Sequence, residues 1–395
     1  MLKSSLSIFF LAILGCNSPE ISPPKFQLLR KDATGLDFDN TPKQSAALNV
    51  FNYMYFFNGG GVAAGDFNQD GQIDLFFTAN MGPDKLFLNE GKLHFRDVTI
   101  TSQINGTSPN AKSADERSLS WKTGASVVDL NNDGMLDLYI SQVGDYKAIK
   151  GRNRLLICQK IENGIPVFAD KAAEWGIDLI GFGTQAAFFD FDQDGDLDMF
   201  QLNHSLHQNG TFGPRKQFEG TIHPLSGDRL FRNDLTPPPG EKKAGFVDIT
   251  AKSGIQSTVI GYGLGIGVSD LNLDGWPDIY IGNDFHENDY YYLNVPLESG
   301  GRGFKESIAD AFQHTSRFSM GVDIADINND GWNDLISLDM EPEDPQILKA
   351  SLGEDGFAVY QMKLGYGYQN QYARNALQLN DGTGHFQEIS SRPAL

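Results

Sequence analysis

Short runs of apolar and small residues recur along the chain, each closed by a polar turn, and they return in a fixed order. One run opens with glycine and small residues, as in Gly61-Val62-Ala63-Ala64-Gly65, Gly124-Ala125-Ser126-Val127-Val128, Gly265-Ile266-Gly267-Val268-Ser269 and Gly321-Val322-Asp323-Ile324-Ala325. The third copy departs, with Gln185 where the others have glycine. After an acidic turn comes a β-prone run: Leu75-Phe76-Phe77, Leu138-Tyr139-Ile140, Met199-Phe200, Ile279-Tyr280-Ile281 and Leu335-Ile336-Ser337. A third run follows at 85–89, 154–157, 229–233 and 291–294, and a fourth starts at Phe95, Phe168, Phe246 and Phe304. None of the repeats carries an apolar periodicity of helix length. The pattern predicts an all-β fold, a β-propeller of four-stranded antiparallel blades, five of them recognisable. A stacked solenoid is the competing repeat architecture, although its units are usually shorter.

Between the first and second runs lies the same nine-residue acidic loop in every copy. Its side-chain oxygens fall at positions 1, 3, 5 and 9: Asp66, Asn68, Asp70 and Asp74; Asp129, Asn131, Asp133 and Asp137; Asp190, Asp192, Asp194 and Asp198; Asp270, Asn272, Asp274 and Asp278; Asp326, Asn328, Asp330 and Asp334. Position 6 is glycine each time (Gly71, Gly134, Gly195, Gly275, Gly331), where a sharp reversal needs it. Position 7 varies as Gln72, Met135, Asp196, Trp276 and Trp332, so it is expected to contribute a backbone carbonyl. First aspartates are 63, 61, 80 and 56 residues apart, a spacing uneven enough to place inserts at about 100–120, 205–228 and 340–370.

Hard, carboxylate-rich oxygen cages without His or Cys suit calcium, about five ions in all, with magnesium as the alternative. An EF-hand would need a bidentate Glu at position 12 between two helices. Position 12 is Phe77, Ile140, Gln201, Ile281 or Ser337, so that reading fails in every copy.

This glycine–strand–acidic-loop–strand unit resembles the FG-GAP/VCBS repeats of integrin-α-like β-propellers. Similarity is strongest to the CRTAC/ASPIC (UnbV) group and related exported bacterial proteins, through 58–66, 283–290 and 374–382. The resemblance implies calcium at positions 1, 3, 5 and 9 of each loop. Members of the group often run longer. Phe26-Gln27-Leu28-Leu29 and Gly35-Leu36-Asp37-Phe38 read as the closing strand of a further blade, so the chain is expected to be a truncated seven-bladed ring or to carry an incomplete sixth blade, with a self-sufficient five-bladed ring as the alternative.

A formal net charge of −20 argues against nucleic acid or an anionic membrane surface as partner. Lys3 and the apolar stretch 6–14 form an export signal ending at Cys16, the expected lipidation site, with an ordinary cleaved signal as the alternative. That divides the chain into a lipoprotein signal (1–16), a linker (17–25) and the propeller (26–395). It predicts a bacterial outer-membrane or cell-surface lipoprotein, or else a periplasmic or secreted protein, touching the membrane only through the lipid. Cys158, in an apolar run, is expected to be a buried strand residue.

No nucleophile elbow, phosphate loop or zinc-protease motif occurs. The glycine string 261–267 leads into an acidic hairpin, and close strand packing explains it better than a nucleotide. His204, His207 and His223 are either a metal site or a solvated insert. Asp284, Glu287 and Asp289 are either a second cation or ligand site or a polar turn. The expected function is a calcium-stabilised binding module on the cell envelope that presents loops to a protein or polysaccharide, and not an enzyme. A lyase or hydrolase acting on polysaccharide from a propeller face is the alternative, since the fold hosts both.

Overall fold

Each repeat folds into one antiparallel sheet whose strands pair in chain order. Blade 1 is β1 (Val62–Gly65), β2 (Asp74–Phe77), β3 (Lys85–Asn89) and β4 (Phe95–Asp97). Blade 2 is β5 (Trp121–Val128), β6 (Asp137–Val143), β7 (Arg154–Glu162) and β8 (Ile165–Asp170). Blade 3 is β9 (Gly183–Phe189), β10 (Asp198–Asn203), β11 (Arg229–Asn233) and β12 (Phe246–Asp248). Blade 4 is β13 (Gly263–Ser269), β14 (Asp278–Asn283), β15 (Tyr290–Pro296) and β16 (Arg302–Glu306). After a short strand β17 (Thr315–Ser316), blade 5 is β18 (Gly321–Ala325), β19 (Asp334–Leu338), β21 (Ala376–Asn380) and β22 (Phe386–Glu388). An insert in blade 5 contributes β20 (Gln371–Tyr372), paired in parallel with β17. The computed structural model describes residues 26–106, 120–207, 210, 212–234, 245–342, 344–351 and 354–390. The export signal, Cys16 and the linker lie outside the described residues.

The core sits in layers between blades. Phe67, Phe76 and Leu86 of blade 1 meet Leu138, Ile140 and Leu156 of blade 2, and similar layers join blades 2 to 3, 3 to 4 and 4 to 5. A second strand is therefore covered on both faces: β6, β10 and β14 are buried at every position. That is why these strands read as continuous rather than alternating apolar runs. Cys158 is buried in β7, as expected, and burial pushes its thiol up to about 11.

Inner strands β1, β5, β9, β13 and β18 stand side by side around an axis, close enough to explain the glycines. A Cβ on Gly61 would lie 2.7 Å from the Ala125 nitrogen, and one on Gly124 would lie 2.3 Å from the Thr184 carbonyl. On Gly265 it would lie 2.9 Å from the Val322 nitrogen, so the 261–267 glycines serve strand packing. Gly321 occupies the equivalent place in β18 but has only Leu338 Cδ1 nearby, at 3.9 Å. Side chains add cross-links: Thr123 Oγ1 donates to the Gly183 carbonyl and Thr184 Oγ1 to that of Gly263, at 2.8 and 2.9 Å.

One expected element does not form. Residues 26–30 are not a strand, and Phe26 and Leu28 remain 90% and 94% exposed, because no facing strand rewards pairing. Instead Lys31–Thr34 makes a helical turn ending at Gly35, whose Cβ would lie 2.3 Å from the Phe95 carbonyl. Thr250–Ser253 with Gly254 does the same against Phe304. The segment thus takes the position of an inter-blade turn. Among the described residues, no helix is long and apolar enough to cross a membrane.

Candidate functional site

Strand register places the acidic loops at one end of the blades. Gly65 pairs with Asp74 next to the loop, whereas Val62 pairs with Phe77 at the opposite end, and the other blades follow suit. Every loop is built by the same local bonds. Position-1 carboxylates accept the backbone N–H groups of positions 5 and 6: Asp66 from Asp70 and Gly71 at 3.0 and 2.8 Å, and Asp326 from Asp330 and Gly331 at 3.0 and 2.9 Å. Position 5 accepts the N–H of position 7, as Asp70 does from Gln72 and Asp274 from Trp276. Position-6 glycines turn at φ between 83° and 100°, as their conservation of type across the copies required.

Position 4 was not singled out in the sequence, yet it is left-handed in all five loops: Gln69, Asn132, Gln193, Leu273 and Asn329 have φ of 53–61°. Two of them also join loops. Gln69 Nε2 donates to the Gly134 carbonyl at 2.7 Å, and Gln193 Nε2 to that of Gly275 at 2.5 Å.

Position-9 aspartates lie deeper. Asp74, Asp137, Asp198, Asp278 and Asp334 are fully buried, and each clamps two distant backbone N–H groups. Asp198, for example, accepts from Phe191 at 3.1 Å and from Asn233 on β11 at 2.8 Å. Burial, with the neighbouring loop carboxylates adding to it, raises the pKa of the first four against those bonds. Asp74 and Asp137 rise to about 6, Asp278 to about 7 and Asp198 to about 8.

The third loop differs from its siblings. Carboxylate oxygens of Asp190, Asp192 and Asp194 lie within 4.8 Å of one another, and Asp192 Oδ1 is buried without a hydrogen-bond partner. Burial first, then Asp194 and Asp190, push the Asp192 pKa upward. Elsewhere the position-3 asparagine relieves this crowding by donating to the position-5 carboxylate: Asn68 to Asp70 at 3.0 Å, Asn131 to Asp133 at 2.9 Å, Asn272 to Asp274 at 3.1 Å and Asn328 to Asp330 at 2.8 Å. Crowded like charges around an unpartnered oxygen fit a small, hard cation of charge two.

The opposite end carries the inserts. Residues 205–228 and 340–370 meet over the turn that follows β14; Arg215 N–H donates to the Tyr366 carbonyl and Tyr368 OH to that of Gly213, both at 2.8 Å. The second insert, expected as loop, contains helices Pro345–Ala350 and Phe357–Gly365.

Asp284, Glu287 and Asp289 lie in a polar turn, as one of the two expectations has it, and do not converge on a cation cage. They are buried and separately bonded: Asp289 to Tyr280 OH, Ser319 Oγ and the Asn283 N–H, Glu287 to Arg215 at 2.9 Å, and Asp284 to the Phe285 N–H and Tyr55 OH. The Asp289 role recurs at the start of each third strand, where Asp84, Asn153, Asp228 and Asn375 also accept an N–H from the end of the second strand. The three histidines bring no shared metal site together; His207 is exposed and His223 half-buried, as a solvated insert implies, and only His204 departs from that reading. His204 is buried between Tyr53 OH and Thr184 Oγ1, at 3.3 Å each, and burial lowers it to about 3. His207 meets Tyr262 OH at 3.1 Å, and His223 Nδ1 accepts from Ser226.

The family described as FG-GAP-like repeat matches residues 66–140 and 270–337, which span the first two and last two acidic loops. Cartilage acidic protein 1 of Homo sapiens is 28% identical over 221 residues, covering 53% of this chain and 29% of that protein. The Mus musculus protein is 29% identical over 150 residues, covering 37% and 21%. The matches thus span less than a third of those relatives' length. Among solved structures, an α-L-arabinofuranosidase from Lactobacillus brevis is 10% identical with a TM-score of 0.35, covering 82% of this chain and 91% of that one. A Bacillus licheniformis rhamnogalacturonan lyase is 15% identical with a TM-score of 0.29, covering 55% and 40%. Neither likeness is close enough to bear on activity.

Proposed function

For a chain of FG-GAP-like repeats folded into propeller blades, similar to cartilage acidic protein 1, we propose the role of an exported binding module. Its acidic hairpins are stapled by calcium, and its opposite face meets a protein or polysaccharide ligand. The observation that carries the calcium reading is the third loop, where three carboxylates crowd within 4.8 Å around a buried, unpartnered Asp192 oxygen. Asp190, Asp192, Asp194 and Asp198 would hold the ion there, and positions 1, 3, 5 and 9 would do so in the other four loops. A bound dication supplies positive charge that cross-links carboxylates which otherwise repel. Gln69 and Gln193 then pass the order of one loop to the next. The division of ends supports the binding role: loops at one end hold the blades, leaving the insert-bearing end for a partner.

Calcium titration by calorimetry on chelator-stripped protein tests this reading. About five sites are expected, with a melting temperature that rises with calcium. An unchanged melting temperature in chelator and in millimolar calcium overturns it. Export and lipidation at Cys16 are part of the same proposal; labelling with a palmitate analogue, lost in Cys16→Ser, checks them.

A further inference from the structure

Side chains join the acidic loops unevenly, and single residues decide where. Gln69 stands between Asn68 and Asp70 in the first loop, and Gln193 between Asp192 and Asp194 in the third. Each amide crosses to the position-6 carbonyl of the following loop, Gly134 at 2.7 Å and Gly275 at 2.5 Å. The peptide unit that accepts this bond also holds a loop carboxylate. Met135 N–H donates to Asp133 at 2.8 Å, and Trp276 N–H to Asp274 at 3.0 Å. Because a peptide is planar, fixing its oxygen fixes the direction of its N–H, and with it the position-5 carboxylate. In the second loop the bridging place is taken by Asn132, one methylene shorter, and in the fourth by Leu273, which has no donor.

A second kind of bridge starts from the third strand of a blade. Asn294 and Asn380 donate Nδ2 to the position-2 carbonyls of the preceding loop, Phe191 and Leu271, both at 2.8 Å. Their own backbone N–H groups bind Asp278 and Asp334 at 2.9 Å, so each asparagine touches two loops at once. In blade 3 Asn233 turns back to Leu197 of its own loop at 3.0 Å, and in blade 2 the place is taken by Cys158. Bridges of one kind or both therefore join the first loop to the second, the third to the fourth and the fourth to the fifth. Among the described residues, neither kind joins the second loop to the third.

We infer that calcium binding is coupled within two groups, loops one and two and loops three to five, and is independent across the break between them. This rests on the calcium reading of the loops. An ion fixes the carboxylates on either side of position 4 and so orders the bridging amide. The bridged neighbour then has less freedom left to lose when its own ion binds, which is positive coupling.

The third loop has a neighbour on each side, one bridged and one not, and the test compares them. Position 7 is Trp276 in the fourth loop and Trp332 in the fifth, so terbium, a calcium substitute, can be excited through the indole of the loop that holds it. Trp332→Phe leaves the fourth loop as the reporter; Met135→Trp with Trp276→Phe and Trp332→Phe moves the reporter to the second. The third loop is then disabled by Asp190→Asn or merely unbridged by Gln193→Asn. The latter leaves every proposed ligand in place and suits left-handed backbone, as Asn132 does, so it decides the matter even if Asp190→Asn fails to fold. Each variant is expected to weaken terbium at the fourth loop about threefold or more, the worth of one hydrogen bond, and to leave the second loop unchanged. Weakening at the second loop, or none at the fourth, overturns the grouping and leaves calcium binding itself standing. No tryptophan-excited emission from either loop overturns the calcium reading and this inference with it.

Discussion

Replacing Asp192 with asparagine should stabilise the protein more without calcium than with it. In the metal-free protein, Asp190, Asp192 and Asp194 lie within 4.8 Å of one another. At that separation a pair of unit charges costs roughly 1 kcal/mol at the dielectric of water and about 3 kcal/mol at the effective value near a protein surface. The loop is partly exposed, so the lower figure applies better. Asp192→Asn removes two such pairs, a relief of roughly 2 kcal/mol. The new amide can also donate to Asp194, as Asn68 does to Asp70 at 3.0 Å, and it converts the loop to the pattern of the other four. In excess calcium the advantage shrinks, because the variant loses one carboxylate from a four-aspartate cage. A ligand at a hundred times its dissociation constant stabilises by roughly 2.7 kcal/mol per site, and a tenfold loss of affinity removes roughly half of that. Thermal unfolding in chelator and in 5 mM calcium reads both arms on the same samples, at a calcium concentration of about that value. The variant should melt a few degrees above the wild type in chelator, and calcium should cut that margin to less than half. A loss of the same size in both conditions would mean that Asp192 acts only as a structural residue, and would refute the charge-crowding argument.

Other expectations follow from the same geometry. Gly265→Ala should destabilise by at least roughly 1–3 kcal/mol, since its Cβ would lie 2.9 Å from a backbone nitrogen. The equivalent Gly321→Ala should be neutral or slightly stabilising, and urea unfolding of the two side by side checks the contrast. Asp84→Ala strips the buried Lys122 of its carboxylate at 3.0 Å and should cost about 3–5 kcal/mol by the same assay. Asp284, Glu287 and Asp289 are each raised to about 7, chiefly by burial. A carboxyl raised in the folded state holds its proton more tightly there, so its contribution is present below the unfolded value near 4 and is lost as pH rises through 7. Each tenfold difference in proton affinity is worth roughly 1.4 kcal/mol. The metal-free protein should therefore gain stability between pH 8 and pH 5, and Asp289→Asn should flatten that slope; a wild-type melting curve indifferent to pH over this range contradicts it.

Loops and strands were legible because their causes are local. A nine-residue hairpin carries its own turn glycine, its own carboxylates and the strands it joins, so Asp326 to Asp334 could be read without knowing what packs nearby. The same holds for the failure of the EF-hand, decided by Ile140 and its equivalents inside strands. The reading was incomplete wherever the partner is distant in sequence. The burial of Asp284 is not legible in the sequence, because nothing near it reveals Tyr55, 229 residues away. His204 looked solvated because its insert folds back beneath Tyr53, 151 residues away. The run at 26–29 looked like a strand because its composition suits one, but a strand forms only against an edge.

Sequence alone thus determined the blade, the number of acidic loops and the donor atoms they offer, since hydrogen-bond and turn chemistry act over a few residues. Only the tertiary structure decided which acids are buried and why position 4 is left-handed and bonded across blades. Burial and approach depend on what the other blades bring, and no stretch of one blade encodes that by itself.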